Sequence, residues 1–360
     1  MNIILLIDNL GSGGAQRQIV NLANDLICLK FNVTLIYYRD LTHYQKDLSS
    51  SVKLVRIGHN KNSNISLLFK VIKRVNTEKP DVLISYLNTP NMIGLMCKLL
   101  RPRTNWIASE RNTVKEPKLK ELLWRKIAFF FADSVVSNSY SQKEWLENNK
   151  LVKKSKSHLI WNSVAPQFFQ VSSSGAPNKF LSIGRISYQK NPELLVDTIK
   201  AGKELLPPDF SMDWYGDDDP EIGDMRERIQ QKIRKHAIPI TFHSSTTNII
   251  DAYQNSGCLI LTSRFEGLPN VVLEAMANGV FVIASNVSDI PLLLGKNERG
   301  FIYEEGNSEA LLAKIKKYFT LNEQERFTLI AKAKTFALNN FENGSLGKNH
   351  LKLIYKGKSK

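Results

Sequence analysis

Short runs rich in valine, isoleucine and leucine recur along the chain, and most are separated by segments of helical periodicity. In the first half NIILLID (2–8), NVTLIYY (32–38), VKLVRIG (52–58), DVLISYL (81–87), TNWIASE (104–110), DSVVSNS (133–139) and SHLIW (157–161) read as strands. KFLSIG (179–184), FSMDWYG (210–216), IPITFHS (238–244), GCLILTS (257–263) and VFVIAS (280–285) do so in the second, before a helix-rich tail from Ser308. Apolar strands alternating with helices predict α/β architecture, with parallel sheets covered on both faces. VSSSGAPNK (171–179) interrupts the pattern with small residues, Gly and Pro, and reads as an interdomain linker. The chain is thus expected to form two doubly wound Rossmann-like domains, residues 1–170 and 180–338. Such sheets bind ligands beyond the carboxyl ends of their strands, which directs attention to polar clusters there.

Composition alters this picture mainly through charge. The 360 residues are 42% hydrophobic and 23% charged, as in globular domains, and no apolar run approaches the ~20 residues of a membrane span. MNIILLID lacks a basic leader and a small-residue cleavage site, so it reads as a first strand and a cytoplasmic protein is expected. Cys28, Cys97 and Cys258 fit neither disulfide nor zinc spacing and are expected to be reduced core residues. The formal net charge of +15 calls for an acidic partner: nucleic acid, anionic lipid or a phosphorylated substrate. Residues 61–170 hold 19 Lys and Arg against 8 Asp and Glu. Within them, LKELLWRKIAFFF (119–131) reads as an amphipathic helix with its aromatic side in the core and its lysines in water.

The chemistry concentrates in RFEGLPNVVLEAMANG (264–279), where Glu266 and Glu274 flank a Gly-Leu-Pro-Asn turn. Gly267 permits close approach of a ligand, and Pro269 suits the first helical turn. The N–H groups of Asn270 and Val271 then suit phosphate oxygens. Carboxylates repel phosphate, so the glutamates are better matched to sugar or ribose hydroxyls, and a nucleotide sugar offers both groups. In SIGRISYQKNPE, Arg185 and Lys190 follow a strand end and would hold a diphosphate as two fixed cations, with Asn191 as N-cap and Pro192 first in the helix. Gly11, Gly13 and Gly14 form a loop entering a helix near Ala15, either a phosphate site or a plain tight turn. Gln16 stands where a dinucleotide fingerprint needs its third glycine, which argues against a nicotinamide cofactor. Asp217, Asp218 and Asp219 form either a divalent-metal pair or, the preferred reading, a turn and helix cap.

The ordered set SGGAQRQ, SERN, WNSV, IGRISYQKN, WYGDDD, RFEGLPNVVLEAMANG and GFIY resembles the retaining family 4 glycosyltransferases of GT-B fold, over nearly the whole chain. The resemblance implies two domains facing across a cleft, the first binding acceptor and the second nucleotide sugar, with residues 339–360 returning as a helix onto the first. It further implies that Arg185 and Lys190 bind the diphosphate, Glu266 the donor sugar and Glu274 the ribose. Gly184, Gly216 and the segment Gly267, Leu268, Pro269 and Asn270 would line the nucleotide sugar, and Gly13 and Gly14 would close onto it. No cofactor or metal is implied. Many members carry a histidine where this chain reads LISYLNTPN, with Ser85, Tyr86, Asn88 and Thr89. Asn88 can hydrogen-bond a sugar but is no base near neutral pH. This suits the front-face route proposed for the family, in which the departing diphosphate helps take the acceptor proton. Glu110 and Arg111 are further candidates for acceptor or donor sugar, Arg111 either meeting a phosphate or forming a buried ion pair.

The expected reaction is transfer of a hexose or N-acetylhexosamine from a UDP-sugar to a lipid-linked or polysaccharide acceptor in surface-glycan synthesis. The basic first domain would meet the anionic inner face of the membrane. Two alternatives are a UDP-sugar epimerase or hydrolase of the same fold, and a nucleic-acid-binding protein. The second lacks any recognised binding module and leaves the glutamate pair unexplained, so no nucleic-acid partner is expected.

Overall fold

A computed structural model describes residues 1–58, 64–111, 119–170, 175–219, 223–246 and 248–356. It divides into two compact units, Met1–Ser163 with Asn343–Lys360, and Val164–Glu342.

The first unit contains β1 (Asn2–Leu6), α1 (Gly14–Cys28), β2 (Asn32–Tyr37), β3 (Lys53–Arg56), α2 (Asn64–Glu78), β4 (Val82–Tyr86), α3 (Asn88–Leu100), β5 (Asn105–Glu110), α4 (Leu119–Phe131), β6 (Ser134–Ser137), α5 (Tyr140–Asn148) and β7 (Ser157–Leu159). The second contains α6 (Gln167–Gln170), β8 (Ala176–Ile183), α7 (Pro192–Gly202), β9 (Ser211–Tyr215), α8 (Met225–His236), β10 (Ile240–His243), α9 (Ile249–Gln254), β11 (Ser256–Leu261), α10 (Asn270–Asn278), β12 (Phe281–Ser285), α11 (Ile290–Leu294), β13 (Phe301–Tyr303), α12 (Ser308–Thr320) and α13 (Glu323–Phe341). Helix α14 (Ser345–Lys356) returns to the first unit.

Each unit has one parallel sheet, in the order β3-β2-β1-β4-β5-β6-β7 and β10-β9-β8-β11-β12-β13. Every residue of β4, β5 and β12 is buried, as expected for strands covered on both faces. The strand order reverses between β1 and β4 and between β8 and β11, and loops leaving those neighbours diverge to open a crevice. Glycine-loop residues Gly11–Gly14 and Asn88 follow β1 and β4, whereas Gly184–Lys190 and Glu266 follow β8 and β11.

The predicted strands all form, and β13 is additional. Residues 171–174 of the expected linker lie outside the described residues, but 176–179 already belong to β8. Small residues there serve close backbone contact: a Cβ on Gly175 would collide with the backbone nitrogen of Ser256 beside it in β11. The units change over at Ser163 rather than 170, because Phe168 of α6 packs edge-on to Tyr253 of α9 in the second unit. Helix α13 runs unbroken to Phe341, past the expected boundary at 338, and α14 docks by Gly347 N donating to Asp25 Oδ2 at 2.8 Å. Leu346, Leu353 and Ile354 join the core formed by β1, β2 and α1. Cys97 and Cys258 are buried, with burial pushing the Cys97 thiol up to about 12, but Cys28 ends α1 in an exposed position.

Helix α4 follows its expected orientation only in part. Phe129 and Ala128 are buried and Lys120 and Lys126 are exposed, but Arg125 is buried too, while Trp124, Phe130 and Phe131 are exposed. Arg125 is drawn inward by Glu110, its Nε lying 3.7 Å from Glu110 Oε2. No helix among the described residues is long and apolar enough to cross a membrane.

Candidate donor site

The loops leaving β8 and β11 are latched together. Lys190 Nζ donates to Glu266 Oε1 at 2.6 Å, and Ser263 Oγ donates to the same oxygen at 2.6 Å. Gln189 Nε2 approaches Glu266 Oε2 at 3.5 Å and donates to Phe265 O at 2.9 Å. Thr262 Oγ1 donates to Lys190 O at 2.8 Å, and Arg264 N to Gln189 O at 2.8 Å. Arg264 also lies over the Tyr188 ring, 4.5 Å from its centroid. Glu266 is only 8% exposed, so its charge-assisted bonds to Lys190 and Ser263 act in a partly desolvated setting and fix both side chains.

Asn191 stands at the N-cap of α7 but does not cap it with its side chain. Its backbone is left-handed, at φ 51° and ψ 55°, and its Oδ1 accepts from Arg264 Nη2 at 3.1 Å. Pro192 occupies the first helical turn as expected. Arg185 behaves differently from Lys190. Its side chain is 64% exposed and its Nη1 lies 3.8 Å from Asp219 Oδ2, so the two bases are not fixed alike.

Helix α10 begins at Asn270, with Pro269 at the N-cap position. Val272 N donates to Pro269 O at 3.0 Å, and the N–H groups of Asn270 and Val271 stand in the first turn of the helix. Ser288 Oγ donates to Gly267 O and anchors the turn, while Leu268 is buried. One turn into the helix Glu274 is buried, and Tyr253 OH donates to its Oε2 at 3.0 Å. Gly184 and Gly216 lie in close backbone contact: a Cβ on Gly216 would collide with Gly184 O, and one on Gly184 would lie 2.9 Å from Lys190 Cε. Glycine at 184 therefore leaves room for the Lys190 stem, and glycine at 216 allows the close approach of the Gly184 backbone.

The three adjacent acids are engaged separately. Asp217 accepts from Ser245 N at 2.9 Å and from Ser245 Oγ, Asp218 from Arg226 Nε at 2.7 Å, and Asp219 faces Arg185. No group of three or more His, Cys, Asp or Glu suited to a metal is assembled among the described residues.

In the first unit Gly13 caps α1 and Gly14 is its first residue. Gln16 folds back over the loop, its Nε2 reaching Asp8 Oδ1 at 3.4 Å, and a Cβ on Gly13 would collide with its side chain. Asn88 begins α3 and accepts from Arg125 Nη2 at 3.4 Å. Among the described residues, Arg111 pairs neither with Glu110 nor with another carboxylate. Its Nε donates to Ser109 Oγ at 2.8 Å, Nη1 to Asn162 Oδ1 at 2.6 Å and Nη2 to Tyr86 OH at 2.6 Å. The guanidinium stacks 4.2 Å from the Tyr86 centroid, and burial lowers its pKa from the ordinary value while Tyr86 opposes that shift. Glu110 and Arg111 thus belong to a buried polar interior around β4 and β5, where Ser85 Oγ accepts from Trp106 Nε1 at 2.9 Å and donates to Asn91 Oδ1 at 2.7 Å, whereas Gly14 and Asn88 are exposed.

Sequence reasoning missed Gln189, Ser263, Tyr253 and Ser288. Gln189 and Ser263 carried a weak signal, since they directly precede Lys190 and Arg264 at strand ends. Tyr253 and Ser288 reach the site from distant segments and carried none.

Residues 164–336 match the model of glycosyl transferases group 1, and residues 12–168 that of glycosyltransferase family 4. Over 98% of both chains the protein is 28% identical to a Campylobacter jejuni α-1,4-N-acetyl-D-galactosaminyltransferase whose name gives a diphospho-undecaprenol-linked glycan as its acceptor. It is 23% identical to an amylovoran biosynthesis glycosyltransferase of Erwinia amylovora, over 87% of this chain and 88% of that one. The fold matches Anabaena HepE, solved with UDP and glucose, at TM-score 0.86 and 16% identity, covering 99% of this chain and 100% of the other.

Proposed function

The chain belongs to the group 1, family 4 glycosyltransferases of GT-B fold, and on that premise we propose that it transfers a hexose or N-acetylhexosamine from a UDP-sugar with retention of configuration. The observation that carries this reading is the latch of Lys190, Glu266 and Ser263 beside the start of α10, at the strand reversal of the second sheet.

A sugar leaving UDP requires the C1–O bond to the diphosphate to break while a C1–O bond to the acceptor hydroxyl forms. Negative charge then grows on the diphosphate. Lys190, the more exposed Arg185 and the N–H groups opening α10 supply compensating charge without a metal ion. Glu266 takes a donor-sugar hydroxyl and Glu274 the ribose hydroxyls. Glu266 is committed to Lys190 and so is poorly placed to serve as a general base, which accords with a diphosphate oxygen receiving the acceptor proton on the same face of the sugar. Asn88, Glu110 and Arg111 would contact acceptor or donor sugar, with Arg111 acting through Tyr86 and Asn162.

For the acceptor, the strongly basic chain and the Campylobacter relative's lipid diphosphate glycan favour a lipid-linked glycan destined for the cell surface, reached by peripheral attachment to the inner membrane face. Assigning the product anomer by NMR tests the chemistry: retention is expected, and an inverted linkage would refute the route. Turnover should survive EDTA. Loss restored by Mn²⁺ would move the compensating charge to a metal at Asp217–Asp219.

A further inference from the structure

Helices α3 and α4 present apolar side chains outward at helical spacing. On α3 the exposed positions after Thr89 are Met92, Met96, Leu99 and Leu100, all apolar. Lys98 lies among them but is folded back, donating to Pro102 O, Thr104 O and Asp133 Oδ2 at 2.7–2.8 Å. On α4 the stripe is Leu119, Leu123, Ile127 and Phe130, flanked by Trp124 and Phe131; Leu119 is 83% and Phe130 62% exposed. The helices pack on each other in the layer covering Leu83, Trp106 and Val135. An apolar stripe of this length facing water marks an interaction surface.

Charge identifies the occupant. Lys120 and Lys126 are exposed on α4 itself, and Lys70 and Lys73 are exposed on α2, which packs against α3, while α3 contains no acid and α4 contains only Glu121. Lys156 Nζ lies 6.0 Å from the Phe130 centroid and donates to Phe130 O at 2.7 Å, placing another cation where the stripe ends. A second copy of this chain on the same face would oppose like charges, whereas an anionic lipid surface complements them. Aromatic side chains beside lysines suit the headgroup level of a bilayer.

We propose that α3 and α4 form a docking face for an anionic phospholipid bilayer, with the stripe entering the headgroup boundary and the lysines meeting lipid phosphates. This deepens the peripheral attachment proposed above and rests on that reading only in taking a bilayer as the partner. Co-sedimentation with phosphatidylcholine vesicles containing phosphatidylglycerol, against phosphatidylcholine alone, tests it without any sugar substrate. The wild type should bind the anionic vesicles preferentially. The double variant Leu123→Ser/Ile127→Ser should partition at least about tenfold less well, with Tm and UDP affinity by calorimetry unchanged. Brominated lipids should quench Trp124, and Trp124→Phe should lose that component. The proposal is overturned if the wild type ignores anionic vesicles, if the double variant binds them equally, or if light scattering shows a wild-type dimer that the variant abolishes. Calorimetry with UDP judges the donor site separately, because vesicle binding does not depend on it.

Discussion

Replacing Glu266 by Gln separates its two duties, contact with donor sugar and restraint of Lys190. The substitution keeps shape but removes the charge that now accepts from Lys190 and Ser263, both at 2.6 Å. The amide oxygen can still accept both bonds, leaving the amide N–H₂ facing Gln189 Nε2, another donor. A hydrogen bond with a charged partner contributes ~1.5–3 kcal/mol and a neutral one ~0.5–1.5; the Lys190 bond keeps its cation, so the bonds that become neutral are those to Ser263 and to a donor-sugar hydroxyl, each weaker by about 1–1.5 kcal/mol. The loss at the sugar contact corresponds to roughly 5- to 10-fold in kcat if that contact strengthens only in the transition state. Lys190, released from its carboxylate, would face the diphosphate with its full charge, so UDP should bind as tightly as before or more tightly. Steady-state kinetics with the UDP-sugar and calorimetry with UDP measure the two effects independently. A parallel fall in UDP affinity would reduce Glu266 to an anchor for Lys190. Unchanged values of both would remove it from the site.

Three further outcomes are expected. Glu274→Gln should weaken UDP binding about tenfold, the loss of one charged hydrogen bond, with kcat at saturating donor nearly unchanged; unchanged UDP affinity by calorimetry refutes the ribose role. Gly216→Ala should destabilise the second unit by ~1–3 kcal/mol, because its Cβ must displace Gly184 O, which accepts from Trp214 Nε1 at 2.8 Å; an unmoved urea midpoint would contradict the close approach. Burial lowers the His350 imidazole from 6.5 to about 4, so between these values the unfolded chain binds more protons and stability falls as pH drops. That loss reaches roughly 3 kcal/mol near pH 4, and Asp25, whose pKa burial raises, opposes it at the acid end. His350→Gln should flatten the fall in Tm between pH 7 and 5, and an unchanged slope would refute the assignment.

The sheets were legible because buried parallel strands are nearly continuous runs of Val, Ile and Leu, a local property. Strand β13 escaped because its three residues, Phe301–Tyr303, follow Arg299 and Gly300 and precede Glu304 and Glu305, so no longer apolar run marks it as SHLIW marks the equally short β7. The donor site was legible one loop at a time: Pro269 marked the start of α10, and Lys190 and Glu266 stood at strand ends. Their pairing was not, since 76 residues separate them and only the adjacency of β8 and β11 brings them together. Arg185, five positions from Lys190, turned instead toward Asp219. Helix α4 was misread in part, at Trp124, Phe130 and Phe131, because apolar residues occupy most of its circumference. Periodicity cannot choose which stripe faces inward, and the choice accompanies Arg125 meeting Glu110 across 3.7 Å. Arg111 was expected either at a phosphate or in an ion pair; it found neutral partners contributed by β4, β5 and the segment after β7.

The bond from Gly347 to Asp25 has a consequence for biosynthesis. When the ribosome has made Ser163, every strand of the first sheet exists, yet α1 still lacks the helix that closes over it. About 180 more residues must be polymerised before α14 appears, a delay of roughly 10–40 s at ~5–20 residues per second. During that interval the apolar patch awaiting Leu346, Leu353 and Ile354 is open to water and to other nascent chains. The second unit, continuous in sequence, can mature first, so the half of the protein begun earliest is completed last.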